Sequence, residues 1–261
     1  MAYADITIND PNPIKSWLQS RRFLDAIKIV QHLQTGDKHR LLDFGAGDGE
    51  LILQLARIAP VDASVFEPCP SLMLEAREKL AHLNAVTFIE DLDSLESGAF
   101  DSVFCLEVFE HLPKNEADKA IKEIHRLLKP DGFAVIGVPH ELFLPALFKG
   151  IFRIFRRYGA FDACFGNVLA AFIGRPPLVR PVSEIAPGVR FHFEHLGFDY
   201  RSLDRLLQKQ FRITNRWFSP FPILGPILNS EVYFLLEPIK KIITVNLDIS
   251  DLDMGCKTYD L

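Results

Sequence analysis

Between Arg40 and Pro139 short apolar runs alternate with segments of helical period, and no other feature of the chain restricts its fold as strongly. Arg40 to Phe44, Ala63 to Phe66, Val86 to Ile89, Asp101 to Cys105 and Phe133 to Val138 are too short for helices and read as strands. Leu51 to Ile58, Ser71 to His82 and Glu116 to Leu128 lie between them and read as helices. Such repetition requires parallel strands joined by crossovers, with helices on both faces of the sheet. After Pro139 the rhythm stops for about fifty residues. It returns with a helix over Ser202 to Gln210, a strand near Arg212 to Phe218 and a last strand near Glu231 to Leu236. Pro13 to Gln34 reads as one or two leading helices. The expected organisation is an N-terminal helical segment (1–39), a sheet core (40–139), a helical lid or substrate insertion (140–190), the C-terminal part of the fold (191–238) and a tail (239–261) that is acidic from Asp248 to Leu261.

Composition narrows the classes of function. The chain has 261 residues, 48% hydrophobic and 24% charged, which excludes a disordered or low-complexity protein. A net charge of -5 argues against a generic electrostatic grip on nucleic acid. The four cysteines lie far apart without a CxxC pair, so neither a zinc site nor a disulfide framework is indicated. The first ten residues lack the basic and apolar regions of a signal peptide, and no apolar run reaches the ~18 residues that span a bilayer. The expectation is a cytoplasmic protein, or one peripheral at the inner face of a membrane.

Where the first strand meets the first helix the sequence is Asp43-Phe44-Gly45-Ala46-Gly47-Asp48-Gly49-Glu50. Glycines there let the backbone approach a ligand that side chains would exclude. Glu50 stands where a dinucleotide-binding GxGxxG loop has its last glycine, and Asp43 precedes the first glycine by two; both features disfavour a nicotinamide cofactor. The run LLDFGAGDGE (Leu41 to Glu50) resembles the first motif of the class I S-adenosylmethionine-dependent methyltransferases. The resemblance continues in order through VFEPCPSLMLEAR, FIEDLDSL, FDSVFCLEVFEHLP (Phe100 to Pro113) and LLKPDGFAVIGVP (Leu127 to Pro139), covering about 100 residues.

That resemblance implies a Rossmann-like, doubly wound seven-stranded sheet of order 3-2-1-4-5-7-6, with the seventh strand antiparallel. It implies S-adenosylmethionine as cofactor, held by Asp43, Gly45, Ala46, Gly47, Gly49 and Leu106. It further implies Glu67 on the ribose hydroxyls, Asp91 on the adenine amino group, Leu92 donating its amide and Pro68 packing on the ring. The methionyl carboxylate needs a cation, which Arg21 or Arg22 could supply, but a surface ion pair is the favoured reading for each.

Methyl transfer is an in-line displacement at an already activated carbon, so positioning and removal of the acceptor's proton carry most of the catalysis. Candidates at the carboxyl ends of the fourth and fifth strands are Glu107, Glu110, His111 and His140, and the segment FHFEHLGFDYRSLDRLL adds His192 and His195. Glu107, Glu110, His111 and His195 could together hold a divalent metal ion. The ExxEH segment is similar to that of ubiquinone-biosynthesis O-methyltransferases and of small-RNA 2′-O-methyltransferases. The alternative is a capping loop in which His111 is a general base.

From Glu141 to Arg180 six basic residues face two acidic ones, and seven of the 22 phenylalanines fall in the same stretch. Phe148, Ile151, Phe152 and Phe155 recur at helical spacing, as in a lid packed over a pocket, a membrane-surface helix or an oligomer interface. Trp217 to Ser230 is uncharged, and reads as a hydrophobic rim or a buried hairpin connection. The expected activity is O-methylation of a small-molecule, glycan or lipid-linked acceptor. The alternatives are 2′-O-methylation of an RNA end, with Arg157, Arg175 and Arg180 as cations, and a non-catalytic cofactor-binding scaffold.

Overall fold

The computed structural model describes residues 22–28 and 39–239; the expectations for most of 13–34 and for the tail beyond 239 lie outside these. A helical stretch at 22–28 precedes β1 (Arg40–Phe44), α1 (Glu50–Ala56), β2 (Asp62–Phe66), α2 (Pro70–Leu80), β3 (Val86–Ile89), β4 (Phe100–Leu106) and α3 (Lys114–Leu127). Next come β5 (Leu128–Pro139), α4 (Phe143–Arg157), α5 (Phe165–Phe172), β6 (Ser183–Ala186) and β7 (Val189–Phe191). The order closes with α6 (Tyr200–Leu207), β8 (Phe211–Ser219) and β9 (Glu231–Pro238).

Seven strands form one sheet in the order β3-β2-β1-β4-β5-β9-β8. The first five strands are mutually parallel, whereas β9 runs antiparallel to both β5 and β8. Since β8 and β9 are the sixth and seventh strands of this sheet, the expected order and the antiparallel seventh strand are both observed.

Side-chain alternation builds a core on each face. Leu41, Val65, Phe104 and Val135 point one way, onto α1, α2 and residues 26–27. Leu42, Val103, Ala134 and Ile136 point the other way, onto Ile121 and Ile124 of α3 and Leu203 and Leu207 of α6. Each such buried aliphatic contributes about 1.5–3 kcal/mol by leaving water. α3 stops just before Pro130, because the residue preceding a proline is driven out of the helical region. The chain then enters β5, and the parallel strands aim their carboxyl ends at one edge.

The insertion after β5 is helical only in its first half. α4 and α5 pack closely: a Cβ at Gly150 would lie 2.4 Å from Val168 Cγ1. Beyond them β6 and β7 form an antiparallel hairpin, where the sequence had suggested helix throughout. Pro187-Gly188, with Gly188 at φ +79, turns that hairpin and returns the chain toward the sheet edge. The outer stripe of α4 faces solvent: Phe148, Phe152 and Phe155 are exposed, so these rings do not cover a pocket as a lid would.

Candidate cofactor and acceptor site

The loop leaving β1 is built for backbone contact. Gly45, Gly47 and Gly49 have φ of +78, +57 and +79, in the left-handed region that favours glycine. Gly45 N and Ala46 N both donate to Phe66 O, at 2.8 and 3.0 Å, tying the loop to the end of β2. Gly47 N donates to Glu67 Oε2 and Cys69 N to Oε1, each at 2.8 Å. Every carboxylate oxygen accepts about two bonds, so Glu67 is fixed in place with an acceptor site left on each oxygen. Burial pushes the Glu67 carboxyl upward against these two amides. Lys79 of α2 braces the loop through Asp48 at 2.5 Å and Glu50 at 3.0 Å.

The glycines play different parts. A Cβ at Gly49 would meet Leu80 Cδ1 at 2.7 Å, and one at Gly45 would meet Val108 Cγ2 at 2.5 Å, whereas one at Gly47 would meet nothing within 4 Å. Asp43, on β1 just before this loop, is buried, its Oδ2 without a protein hydrogen bond. Burial, with Glu67 and Asp48 nearby, pushes its carboxyl up to about 8. Along the same edge Asp91 is exposed and accepts from Asp93 N at 2.9 Å, Leu92 begins a short turn, Pro68 is exposed and Leu106 ends β4.

The chain leaving β4 lies directly on this loop, through the contact of Val108 with Gly45. Glu107 takes φ +57, and its side chain meets Arg22 at 2.8 Å. Arg22 also binds Glu231 Oε1 at 2.7 Å, and Tyr233 donates to its carbonyl at 3.0 Å. Burial opposes the Arg22 charge, but Glu107 and Glu231 outweigh it. Of the two roles the sequence left to Arg22, the structure shows the ion pair: its guanidinium binds the half-buried Glu107 and the buried Glu231.

Glu110 turns the other way. It is fully buried with neither carboxylate oxygen hydrogen-bonded, and burial pushes it up to about 8. His111 Nδ1 lies 2.6 Å from His192 O; a carbonyl only accepts, so Nδ1 carries the proton and Nε2 presents its lone pair 3.6 Å from Glu110 Oε1. His192 N donates back to His111 O at 2.8 Å. The His111 ring stacks on Phe191 at 4.1 Å and meets His195 edge-on at 4.8 Å. Burial lowers His111 to about 4 and His195 well below its ordinary value.

Ligand atoms of Glu110, His111 and His195 all lie within 4.8 Å of one another. Three of the four residues expected to hold a metal are thus together, while Glu107 is engaged by Arg22. His192 positions His111 through its backbone and turns its own ring to Pro181 O at 2.6 Å. His140 is set apart, with Nδ1 on Asn229 O at 3.1 Å and its ring against Tyr200 at 5.1 Å. Burial lowers it to about 4. Of the cations expected to face an RNA end, Arg157 pairs with buried Asp162 and Arg180 donates to Glu194 O, whereas Arg175 is exposed and makes no ion pair among the described residues. Glu231, Tyr233 and Phe191 were not singled out from sequence. An acid heading the apolar run Val232 to Leu236 was the one local signal for Glu231.

Both absent groups can be tested against these residues. The open space at Gly47, the orphaned Asp43 oxygen and the aimed Glu67 carboxylate fit a nucleoside bearing a cationic amino-acid arm. The two orphaned oxygens of Glu110 beside two neutral imidazoles fit a divalent cation.

A doubly wound sheet with this strand order, this glycine loop and this acid at the end of β2 is the arrangement of class I S-adenosylmethionine-dependent methyltransferase domains, and over these elements the chain is similar to them. Residues 42–136 match the family model described as a methyltransferase domain. A ubiquinone biosynthesis O-methyltransferase of Xanthomonas oryzae is 36% identical over 98 residues, which cover 36% of this chain and 40% of that protein. The chain thus matches less than half the length of this curated relative. Among solved structures, the PH0226 protein of Pyrococcus horikoshii superposes with a TM-score of 0.58 at 15% identity, over 91% of this chain and 96% of that one. A 1,6-didemethyltoxoflavin-N1-methyltransferase of Burkholderia thailandensis, with S-adenosylhomocysteine bound, gives 0.54 at 15% identity over 90% and 85%. These two likenesses show the fold.

Proposed function

We propose that this protein transfers the methyl group of S-adenosylmethionine to an oxygen of a small-molecule, glycan or lipid-linked acceptor, with a divalent cation at Glu110, His111 and His195. The observation that carries the reading is the contact of Val108 with Gly45, which sets the Glu110–His111–His195 cluster against the glycine loop. Methyl transfer needs donor and acceptor in line at contact distance, and this adjacency supports that reading.

In this reading Glu67 accepts from the ribose hydroxyls through its two unused acceptor sites, Asp91 and Leu92 face the adenine, and Asp43 faces the cationic amino-acid arm. The cation would lower the pKa of an acceptor hydroxyl and orient two neighbouring oxygens. His192 holds the His111 ring so that Nε2 stays unprotonated and aimed at Glu110. Arg22 keeps Glu107 and Glu231 from repelling one another beside the cluster. Oxygen rather than nitrogen is favoured by a carboxylate-and-imidazole cluster suited to a cation that binds hydroxyl oxygens, and the matched quinone-pathway relative is named an O-methyltransferase.

Calorimetric titration with Mn²⁺, followed by conversion of S-adenosylmethionine in the presence of a catechol probe, tests this. The expectation is one Mn²⁺ site that is lost in Glu110→Gln and in His195→Ala, with Mn²⁺-dependent formation of S-adenosylhomocysteine. A folded protein that binds no divalent cation, or binds it equally in both variants, would overturn the assignment of the cluster.

A further inference from the structure

The outer surface of α4 and α5, with the loop 221–228, carries the largest feature that methyl transfer does not use. Phe148, Phe152 and Phe155 lie along the outside of α4, and Phe165, Leu169 and Ile173 along the outside of α5. Their spacing of three or four residues puts each set on one helical face. The inner faces are satisfied by Ala146 and Gly150 against Val168 and Ala171, so the exposed rings are surplus to the packing of the pair. Phe155 is 86% exposed and Ile223 99% exposed.

The loop is constructed to present its apolar side chains. Asn229, fully buried, accepts from Phe221 N at 2.6 Å and donates to Phe221 O at 2.7 Å and Gly225 O at 2.6 Å. One side chain thus closes the loop's polar backbone while Ile223 and Ile227 project outward. The loop adjoins α4, because Lys149 of that helix donates to Ser230 O at 3.3 Å.

Charge decides the occupant. Between residues 141 and 182 the only acids are Glu141 and Asp162, and both are buried. Glu141 is taken up by Lys149 and Arg153, and Asp162 by Arg153 and Arg157, on the inner side. The unpaired charges left on the outside of this segment are positive: Arg156, whose guanidinium lies over the Phe152 ring at 5.6 Å, and Arg175. The loop between Phe218 and Ser230 has no charge at all. Exposed aromatic and aliphatic side chains fringed by cations alone match the acyl boundary and headgroups of an anionic lipid surface.

We infer that α4, α5 and the loop 221–228 dock this protein on an anionic phospholipid bilayer. The docking goes beyond methyl transfer and does not depend on it, and its test requires no cofactor and no turnover.

Sedimentation of the full chain with phosphatidylcholine vesicles, with and without phosphatidylglycerol, tests the inference. Each basic residue near an anionic surface is worth about fivefold in partitioning, so Arg156 and Arg175 give roughly a twenty-five-fold preference for the mixed vesicles. The preference should shrink with added salt and in Arg156→Gln/Arg175→Gln. Phe155→Ser/Ile223→Ser should lower binding to the mixed vesicles at least about tenfold with an unchanged melting temperature. Binding that is equal on both vesicles, or absent, would overturn the inference. So would a self-association in lipid-free solution, seen by light scattering, that the Phe155→Ser/Ile223→Ser change abolishes.

Discussion

Gly47 and Gly49 stand two residues apart in the same left-handed conformation, yet replacing each by alanine should do opposite things. At either position a Cβ in the left-handed region costs about 1–2 kcal/mol, partly offset by about 0.4–1 kcal/mol from the stiffer unfolded chain. For Gly47→Ala nothing further is lost in folding, since no protein atom lies within 4 Å of the new carbon and the amide that binds Glu67 is kept. Its net cost is about 1 kcal/mol, or roughly 2–4 °C in melting temperature for a chain of this size. At Gly49 the new carbon would come within 2.7 Å of Leu80 Cδ1 and 3.2 Å of Leu80 Cγ, and Leu80 is fully buried. Overpacking adds about 1–3 kcal/mol, for a total of about 2–4 kcal/mol. The order inverts for ligand binding: the Gly47 methyl enters the space assigned to the cofactor, and S-adenosylhomocysteine should bind at least about tenfold more weakly, about 1.4 kcal/mol. Urea unfolding and calorimetric titration of both variants read the two effects separately. A Gly47→Ala protein that binds S-adenosylhomocysteine as the wild type does would refute the placement. Equal stability of the two variants would refute the packing argument.

Removing the charge between Glu107 and Glu231 should be costly: Arg22→Ala leaves the buried Glu231 facing the half-buried Glu107, and after discounting for a guanidinium 25% exposed we expect about 3 kcal/mol in urea unfolding. Adding Glu231→Gln should recover part of that loss, and an unshifted midpoint for Arg22→Ala alone would show that the cluster carries no stability. Asp43 predicts a pH dependence: its folded carboxyl sits at about 8 against an ordinary 3.8, so its stabilising contribution is complete below the ordinary value and is lost as pH rises through about 8. For this group the ligand-free protein should therefore lose stability across that window by up to about 1.4 kcal/mol per pH unit; Glu110, also raised to about 8, adds a slope of its own, so Asp43→Asn should reduce the dependence without abolishing it. A slope unchanged in Asp43→Asn would assign all of it to other groups.

The central sheet was legible because strands and helices there are short, alternate, and bury residues at their own periods. Val86–Ile89 and the start and end of Arg40–Phe44 coincide with the observed strands, and most other core elements shift only at their ends. The glycine loop and Glu67 were legible for a related reason, since turn chemistry and a strand-end acid are local properties of the chain. Contacts made across the fold were not. Arg22 and Glu231 are separated by 209 positions, and no periodicity relates them. Glu107 and Glu110, three residues apart, would share a face on a helix, but the positive φ at Glu107 sends one toward Arg22 and the other toward His111. In the insertion, hydropathy could count the phenylalanines of α4 without saying which side of the helix the protein would use. The β6–β7 hairpin escaped because Ser183 to Phe191 is short and its pairing is local and irregular, with only Pro187-Gly188 marking the turn.

The account turns on whether the loop of Gly45 to Gly49 and the carboxylate of Glu67 receive S-adenosylmethionine. Calorimetric titration of the full chain with S-adenosylmethionine, beside Glu67→Gln of equal melting temperature, addresses this most directly. The account predicts a single site of micromolar affinity in the wild type, weakened about tenfold or more when the carboxylate becomes an amide. A folded wild-type protein that takes up neither S-adenosylmethionine nor S-adenosylhomocysteine would contradict it.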